Sequence, residues 1–481
     1  MKRGPSGCDC PLFIDGQHLA GGGAPIPVLD KFSLQQVGQA QVADADQLRR
    51  AVGSAHAAYR RGAPSQAERG DILERAAAGV QRASAELIGL MQQEAGFPAV
   101  DAAAEVTRCM QTLRLSATEA RRFAGAMIPL AGSPGHAGKL GFTIRVPLGV
   151  VLAVTPFNSP LNTVAHKIAP AFAAGNAVVL KPSSDTPMTA AKFAEILSEA
   201  GVPQGFLSVV YGGAEVVRQL LEQPQVRYVA FTGSTETGRA IQRAAGLRRT
   251  QMELGSIAFT ILCADADLES ALPKVVNAAF RKAGQVCTSI QILLVHRSLR
   301  AAVEGPLAQL TAAVPFGDPR DPRTVTGPVI SEHAAVRIAQ WIQSALDGGA
   351  RRLVGGARQG SVVPPTLLTD VTDGMDVVSR EVFGPVLNVL YFDTLAEAIA
   401  RVNATPYGLA TGIFTRRIDC AFEAIRTLEV GSVYINETSS SRVDSMPYGG
   451  SKDSGFGREG PEYSIREMSE ERMVTFSGFG P

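Results

Sequence analysis

From Gly149 onward the chain alternates short, almost wholly apolar runs with stretches of helical periodicity. Val150-Val151-Leu152-Ala153-Val154 lies between Gly149 and Pro156, and Ala177-Val178-Val179-Leu180-Lys181, Leu207-Ser208-Val209-Val210-Tyr211 and Tyr228-Val229-Ala230-Phe231 follow. Runs without polar alternation suit strands buried on both faces, and such strands belong to parallel sheets. Between them, Leu161–Ala174, Met188–Ala200, Ala214–Leu221 and Glu236–Ala245 read as helices, and Thr250-Gln251-Met252-Glu253 reads as a further strand. Repeated strand–helix–strand units constrain the chain to a doubly wound α/β sheet. A second α/β unit follows, with strands at Phe259–Cys263 and Ile292–Val295 and helices at Leu268–Lys282 and Leu299–Val314. At 481 residues the chain exceeds one core, so two or three domains are expected.

Residues 1–40 read as an arm of short strands with a hairpin turn at Phe13-Ile14-Asp15-Gly16. Asp44 is placed to cap a helix through Leu48, Val52 and Ala55. A second helix spans Ser65–Ala95 with a break near Ser84, and a third spans Ala99–Phe123. Ile128–Arg145 is rich in Gly and Pro and ends in the extended stretch Leu140–Arg145, which reads as a projecting hairpin. That arm has no evident partner in its own domain. Unpaired strand edges invite pairing, so a homodimer or homotetramer is expected through it and the C-terminal strand near Thr475.

Lys and Arg number 46 against 45 Asp and Glu, a net charge of +1. This excludes neither fold nor enzyme class, but it gives no reason to expect nucleic acid or an anionic membrane as partner. No apolar run reaches the roughly 18 residues a membrane helix needs. Met1-Lys2-Arg3-Gly4-Pro5 is basic without a following apolar segment, so it does not read as a secretory signal. The six cysteines (8, 10, 109, 263, 287, 420) form no CxxC pair, and Cys8-Asp9-Cys10 reads as inert. A reducing cytoplasm is the expected setting. The six histidines show no metal-ligand spacing, and no metal site is expected.

Five stretches carry chemistry. Cys287 lies in Ala283-Gly284-Gln285-Val286-Cys287-Thr288-Ser289, past an apolar helix, among small or uncharged neighbours. A thiol there is reachable by a substrate, although a lone cysteine is as readily a buried structural one. Asn158, in Thr155-Pro156-Phe157-Asn158-Ser159-Pro160, offers an amide to a developing oxyanion, or merely an Asx turn. Glu253 ends a strand before Leu254-Gly255; a carboxylate there activates water, or is solvated. Phe231-Thr232-Gly233-Ser234-Thr235-Glu236-Thr237-Gly238 opens a helix at a strand's carboxyl end, where backbone N–H groups and Ser234 suit a diphosphate. Lys181, before Pro182-Ser183-Ser184, can reach ribose or phosphate oxygens.

These stretches, with Glu381-Val382-Phe383-Gly384-Pro385, stand in the order and spacing of the aldehyde dehydrogenase superfamily, which the chain resembles from about Phe13 to about Ser469. The resemblance implies the aldehyde dehydrogenase fold: a Rossmann-like cofactor domain (1–124 and 146–253), an α/β catalytic domain (254–445) and a small oligomerisation arm (125–145 and 463–481). It implies that Cys287 is the nucleophile, Asn158 the oxyanion donor and Glu253 the base that releases the acid. It implies NAD or NADP at Thr155, Pro156, Phe157, Lys181, Ser183, Ser184, Gly213, Phe231, Thr232, Gly233, Ser234, Thr237, Leu254, Gly255, Glu381 and Phe383. Two departures stand out: Ser184 replaces a glutamate that binds the adenosine ribose in many relatives, and Ser256-Ile257-Ala258 replaces Gly-Lys-Ser. Serine removes a charge that would face a 2′-phosphate, so NADP is expected to serve at least as well as NAD.

The chain looks closest to the branch with lactaldehyde, phosphonoacetaldehyde and sulfoacetaldehyde dehydrogenases. Arg108 and Thr112 share a helix face, His166 follows Asn162 by four, and Arg442 lies in a Ser/Thr-rich loop. Three donors from separate segments suit an anionic group. A short polar or anionic aldehyde is therefore the expected substrate, with a broad small-aldehyde or semialdehyde dehydrogenase as the alternative. Acylation of coenzyme A is disfavoured because Glu253 is present. A non-redox cysteine hydrolase or acyltransferase would need a histidine beside Cys287, and a non-catalytic relative would not need the intact set.

Overall fold

The computed structural model describes residues 8–478; Met1–Pro5 and the side chain of Cys8 lie outside the described residues. An eight-stranded sheet runs in the order Gly455–Phe456, Arg249–Glu253, Val226–Thr232, Val150–Val154, Ala177–Lys181, Leu207–Val209, Leu12–Ile14 and Gln17–Leu19. Its five central strands are parallel, as their apolar runs require. All five residues of Val150–Val154 are buried. Asp15 and Gly16, at φ 55° and 73°, make the tight turn of the N-terminal hairpin.

Chain order reverses between Val150–Val154 and Val226–Thr232, which are neighbours. At such a switch point the loops leaving the two strands diverge to opposite faces and open a crevice beyond their carboxyl ends. A seven-stranded sheet, Arg351–Val354, Thr366–Thr369, Val386–Phe392, Ile290–His296, Ala258–Leu262, Ala410–Phe414 and Ser432–Ile435, is parallel except at its first strand.

Local signals set the helices. Asp44 accepts from the Gln47 backbone N–H while Gln47 returns to the Asp44 N–H, a capping box that starts Ala45–Arg61. Ser65 and Glu68 do the same for Gln66–Arg82, and the next helix begins at Ser84, where the break was expected.

Two expectations need correction. The helix leading to Cys287 ends at Phe280, not Lys282: Lys282 and Ala283 have φ of 50° and 53°, left-handed backbone that no α-helix holds. The arm Leu140–Pro147 does have a partner within the chain. It pairs antiparallel along its whole length with Ser469–Phe476, and Met127–Ile128 lies on its other side. The outermost strand on that side is thus the C-terminal one. No helix among the described residues is long and apolar enough to cross a membrane.

Candidate active site

Two loops and the end of a strand deliver the central groups. Asn158 lies in the loop leaving Val150–Val154, Glu253 is the last residue of its strand, and Cys287 lies between Leu268–Phe280 and Ile290–His296. All three line one cavity of about 360 Å³. They also line a second, of about 250 Å³, whose far side carries Gly233, Ser234, Glu381 and Phe383. The two cavities meet at the thiol.

The Cys287 loop is held by its flanks. The Lys282 N–H donates to Asp101 Oδ2 at 3.0 Å, and its ammonium donates to Glu105 Oε1 at 2.7 Å and the Asn158 carbonyl at 3.2 Å. Glu105 also accepts from the Ser159 hydroxyl at 2.7 Å and the Asn162 N–H at 3.1 Å. One buried carboxylate thereby fixes the Asn158 loop relative to the Cys287 loop. Burial favours the neutral acid, but Lys282 and Arg108 outweigh it and keep Glu105 below its usual range. On the other side, the Thr288 carbonyl accepts from the Ser439 and Ser440 hydroxyls at 2.8 and 2.9 Å. Gly284, at φ 68°, has no room for a side chain: a β-carbon would stand 2.1 Å from the Gly384 carbonyl oxygen.

Around the thiol stand groups to which the sequence alone assigned no role. Cys287 Sγ lies 3.0 Å from the Tyr448 hydroxyl, which also donates to Glu253 Oε1 at 3.4 Å. Burial, with the Glu253 charge added, pushes the thiol pKa well up, while the Tyr448 hydrogen bond opposes it. Burial and the Glu459 charge push Glu253 up to about 7, against a hydrogen bond from Cys287. Burial would raise Glu459 as well, but Lys167 and Arg442 hold it well below the carboxylate range. Lys167 and Glu459 are 292 positions apart and hydrogen-bonded, a pairing that no local pattern announces.

Arg108, His166 and Arg442 do reach the wall of the larger cavity. They do not converge on an open gap. Arg108 donates to both oxygens of Asp444, at 2.7 and 3.1 Å; His166 Nε2 sits 2.8 Å from Asp444 Oδ1, and Asn162 donates to the same oxygen at 3.2 Å. A carboxylate only accepts, so the His166 proton sits on Nε2. Burial makes that imidazole harder to protonate, although Asp444 opposes it. Arg442 donates to Glu459 Oε2 at 3.1 Å and lies 3.7 Å from the Tyr448 ring centroid, and its buried Nε has no partner among the described residues. Lys274, paired with Glu437, and Arg281, which stands in none of these pairs, line the same cavity. Arg281 directly follows the helix that ends at Phe280, and its position in sequence was the one signal available.

The smaller cavity and the sheet edge beside it hold the other expected positions. Thr155, Pro156 and Phe157 leave the strand Val150–Val154, and the Phe157 ring meets Phe383 edge-on at 5.8 Å. Phe231 and Thr232 end the strand Val226–Thr232, and the Gly233 N–H donates to the Glu253 carbonyl at 3.0 Å. Ser234 caps Thr235–Ala245, accepting from the Thr237 N–H at 3.3 Å. Leu254 and Gly255 follow Glu253, and Glu381 Oε1 accepts from the Ser256 N–H at 2.9 Å. Burial raises the Glu381 carboxyl to about 7. Lys181 ends its strand, its pKa lowered by burial to about 8. Ser183 accepts from the Asp185 N–H at 3.2 Å, Ser184 donates to the Gly212 carbonyl at 3.3 Å, and Gly213 precedes the helix Ala214–Leu221.

The model of the aldehyde dehydrogenase family matches residues 19–474. The chain belongs to the aldehyde dehydrogenase family. It is an NAD(P)-dependent oxidoreductase acting on aldehydes, as the family and its solved structures show. The 3-sulfolactaldehyde dehydrogenase of Priestia aryabhattai is 42% identical over 467 residues, 97% of this chain and 98% of that one. Aldehyde dehydrogenase 21 of Physcomitrella patens, solved with the reaction product succinate, superposes with a TM-score of 0.95 at 34% identity, covering 98% of this chain and 99% of that one. The NADP-dependent glyceraldehyde-3-phosphate dehydrogenase of Bacillus halodurans, solved with NADP, gives a TM-score of 0.95 at 33% identity, again covering 98% and 99%.

Proposed function

We propose that this aldehyde dehydrogenase oxidises a short aldehyde bearing an anionic group to its carboxylate, through a thioester on Cys287. The observation that carries the reading is the cationic wall, with Arg108, Arg281 and Arg442, of the cavity that ends at the thiol. Three similar proteins point the same way: their names or bound product carry a sulfonate, a carboxylate or a phosphate. Arg281, outside the ion pairs of the wall, and the unpartnered Arg442 Nε are the donors left for such a group.

The chain's residues fit a nicotinamide dinucleotide. The open N-terminus of Thr235–Ala245 suits a diphosphate, Lys181 with Ser183 and Ser184 suits the adenosine ribose, and the slot walled by Phe157, Leu254 and Phe383 suits a flat ring beside Cys287. NAD(P), when bound, supplies the hydride acceptor. Cys287 Sγ attacks the aldehyde carbon, and the Asn158 amide and the Cys287 N–H face the oxyanion. After oxidation the acyl group remains on Cys287 as a thioester. Glu253 takes a proton from water, which attacks the thioester and restores the thiol. A non-redox hydrolase would pair the thiol with a histidine, whereas Cys287 is hydrogen-bonded to Tyr448.

In this reading, residues 1–124 and 146–253 hold the dinucleotide, 254–445 carry the nucleophile, and 125–145 with 463–481 join subunits in a homodimer or homotetramer in the cytoplasm. Ser184 opens the ribose site to NADP as well as NAD. One observation favours a broader small-aldehyde enzyme: Asp444 and Glu459 already neutralise Arg108 and Arg442. The test is kcat/KM for sulfonate-, phosphonate- and carboxylate-bearing aldehydes against propanal, with NAD and with NADP, for wild type and Cys287→Ser. A preference for the anionic aldehydes, abolished in Cys287→Ser, supports the proposal. Equal values for propanal leave the broad enzyme, and turnover by Cys287→Ser removes the nucleophile.

A further inference from the structure

The Cys287 thiol and the Glu253 carboxylate are bridged by a third group. The Tyr448 hydroxyl lies 3.0 Å from Cys287 Sγ and 3.4 Å from Glu253 Oε1. Because Glu253 can only accept when ionised, the phenol proton points at Glu253, and the phenol oxygen is left to accept from the thiol. The single thiol proton has two acceptors in reach, Glu253 and the phenol oxygen; when it goes to the phenol, the donors line up in one direction, from sulfur through oxygen to carboxylate. The ring has no freedom to leave this position. Tyr448 is 1% exposed, its backbone exchanges hydrogen bonds with Glu459 at 3.0 and 2.6 Å, and the Arg442 guanidinium lies against its face at 3.7 Å.

We infer that Tyr448 is a catalytic residue that relays the Cys287 thiol proton to Glu253. In one concerted exchange the S–H bond breaks and its proton joins the phenol oxygen, while the phenol O–H bond breaks and its proton joins Glu253 Oε1. The phenol is neutral before and after, so no phenolate forms, and the products are a Cys287 thiolate and a neutral Glu253. Glu253 then releases that proton to solvent, takes a proton from the water that cleaves the thioester, and returns it through the phenol, by the same path in reverse, to the departing thiolate. The inference rests on the reading of Cys287 as nucleophile and Glu253 as base. It adds a path where direct transfer between those two groups is the alternative.

The test is Tyr448→Phe, which removes one oxygen and keeps the ring under Arg442. Three quantities are read: the pre-steady-state burst of reduced nicotinamide, its slowing in D2O, and the pH profile of Cys287 alkylation by iodoacetamide, followed on the Cys287 peptide by mass spectrometry. The expected result is a burst slower by about 100-fold or more, an alkylation profile displaced to higher pH, and a changed D2O effect, with the melting temperature and the KM for NAD(P) unmoved. Wild-type burst and profile in Tyr448→Phe would overturn the relay in favour of direct transfer. A slower burst with unaltered alkylation profile and D2O effect would also overturn it, by reducing Tyr448 to a packing role. Replacing Tyr448 with difluorotyrosine keeps both hydrogen bonds but makes the phenol more acidic; the relay expects the D2O effect and burst rate to respond, and indifference to that change counts against it. A wild-type enzyme without any burst would instead remove the reading beneath the relay.

Discussion

Glu253→Gln tests both halves of the proposed reaction. In wild type, burial and the neighbouring Glu459 set the Glu253 carboxyl at about 7. At pH 6 about a tenth of the molecules then hold the carboxylate form, and at pH 8 about nine-tenths do. A base is active when deprotonated, so steady turnover limited by deacylation should rise about tenfold between those values. A glutamate at its usual position would give a flat profile there. The amide of the Glu253→Gln variant keeps the shape of the side chain and cannot take a proton from water. Loss of the base should lower steady turnover by about 10²- to 10⁴-fold, the usual contribution of such a group, equivalent to about 3–5 kcal/mol of barrier. The burst of reduced nicotinamide should keep an amplitude near one per active site, because the thioester, once formed, accumulates, but the burst should be slower, since glutamine cannot accept the relayed thiol proton. Stopped-flow absorbance reads both phases in one trace. A steady rate equal to wild type, or wild-type turnover that does not change between pH 6 and 8, would show that another group activates the water.

Arg108→Ala and Arg442→Ala should raise KM for an anionic aldehyde far more than for propanal; an unchanged ratio of the two kcat/KM values would end the anion-pocket reading. Ser184→Glu should lower kcat/KM with NADP relative to NAD by about tenfold or more, because a carboxylate then faces the 2′-phosphate; an unaltered cofactor ratio would place the choice elsewhere. Lys282→Met strands Glu105, which is 1% exposed, and removing one partner of a buried pair costs about 3–5 kcal/mol. Denaturant melts that show no loss would mean that the Ser159 and Asn162 donors suffice for Glu105.

The sheet was readable because its strands are buried on both faces, and a run such as Val150–Val154 has no alternative use in water. Caps at Asp44 and Ser65 are local hydrogen-bond patterns, so they too were legible. The partner of Leu140–Pro147 was not, because its match lies more than three hundred residues downstream and edge pairing leaves no periodic trace. At the site, Cys287, Asn158 and Glu253 stood out because each sits beside turn residues at the end of a strand or helix. Tyr448, Lys167, Glu459, Asp444 and Glu105 did not, since their importance comes from burial and from contacts between distant segments. The donors Arg108 and His166 were found in sequence, but the Asp444 carboxylate that occupies them was not. Half of the site is thus visible as motif, and half is hidden as electrostatics.

The contact between Gly284 and the Gly384 carbonyl joins two loops by main chain alone. One loop carries the thiol, and the other carries Glu381 and Phe383 on the wall of the smaller cavity. Their relative placement therefore depends on the absence of a side chain at residue 284, where any group larger than hydrogen must push both loops apart. The larger cavity is the opposite case: its wall is built from side chains of several distant segments. A lineage of such chains can wander among aldehydes by rewriting that wall, while the alignment of nucleophile with dinucleotide is inherited as a fixed part.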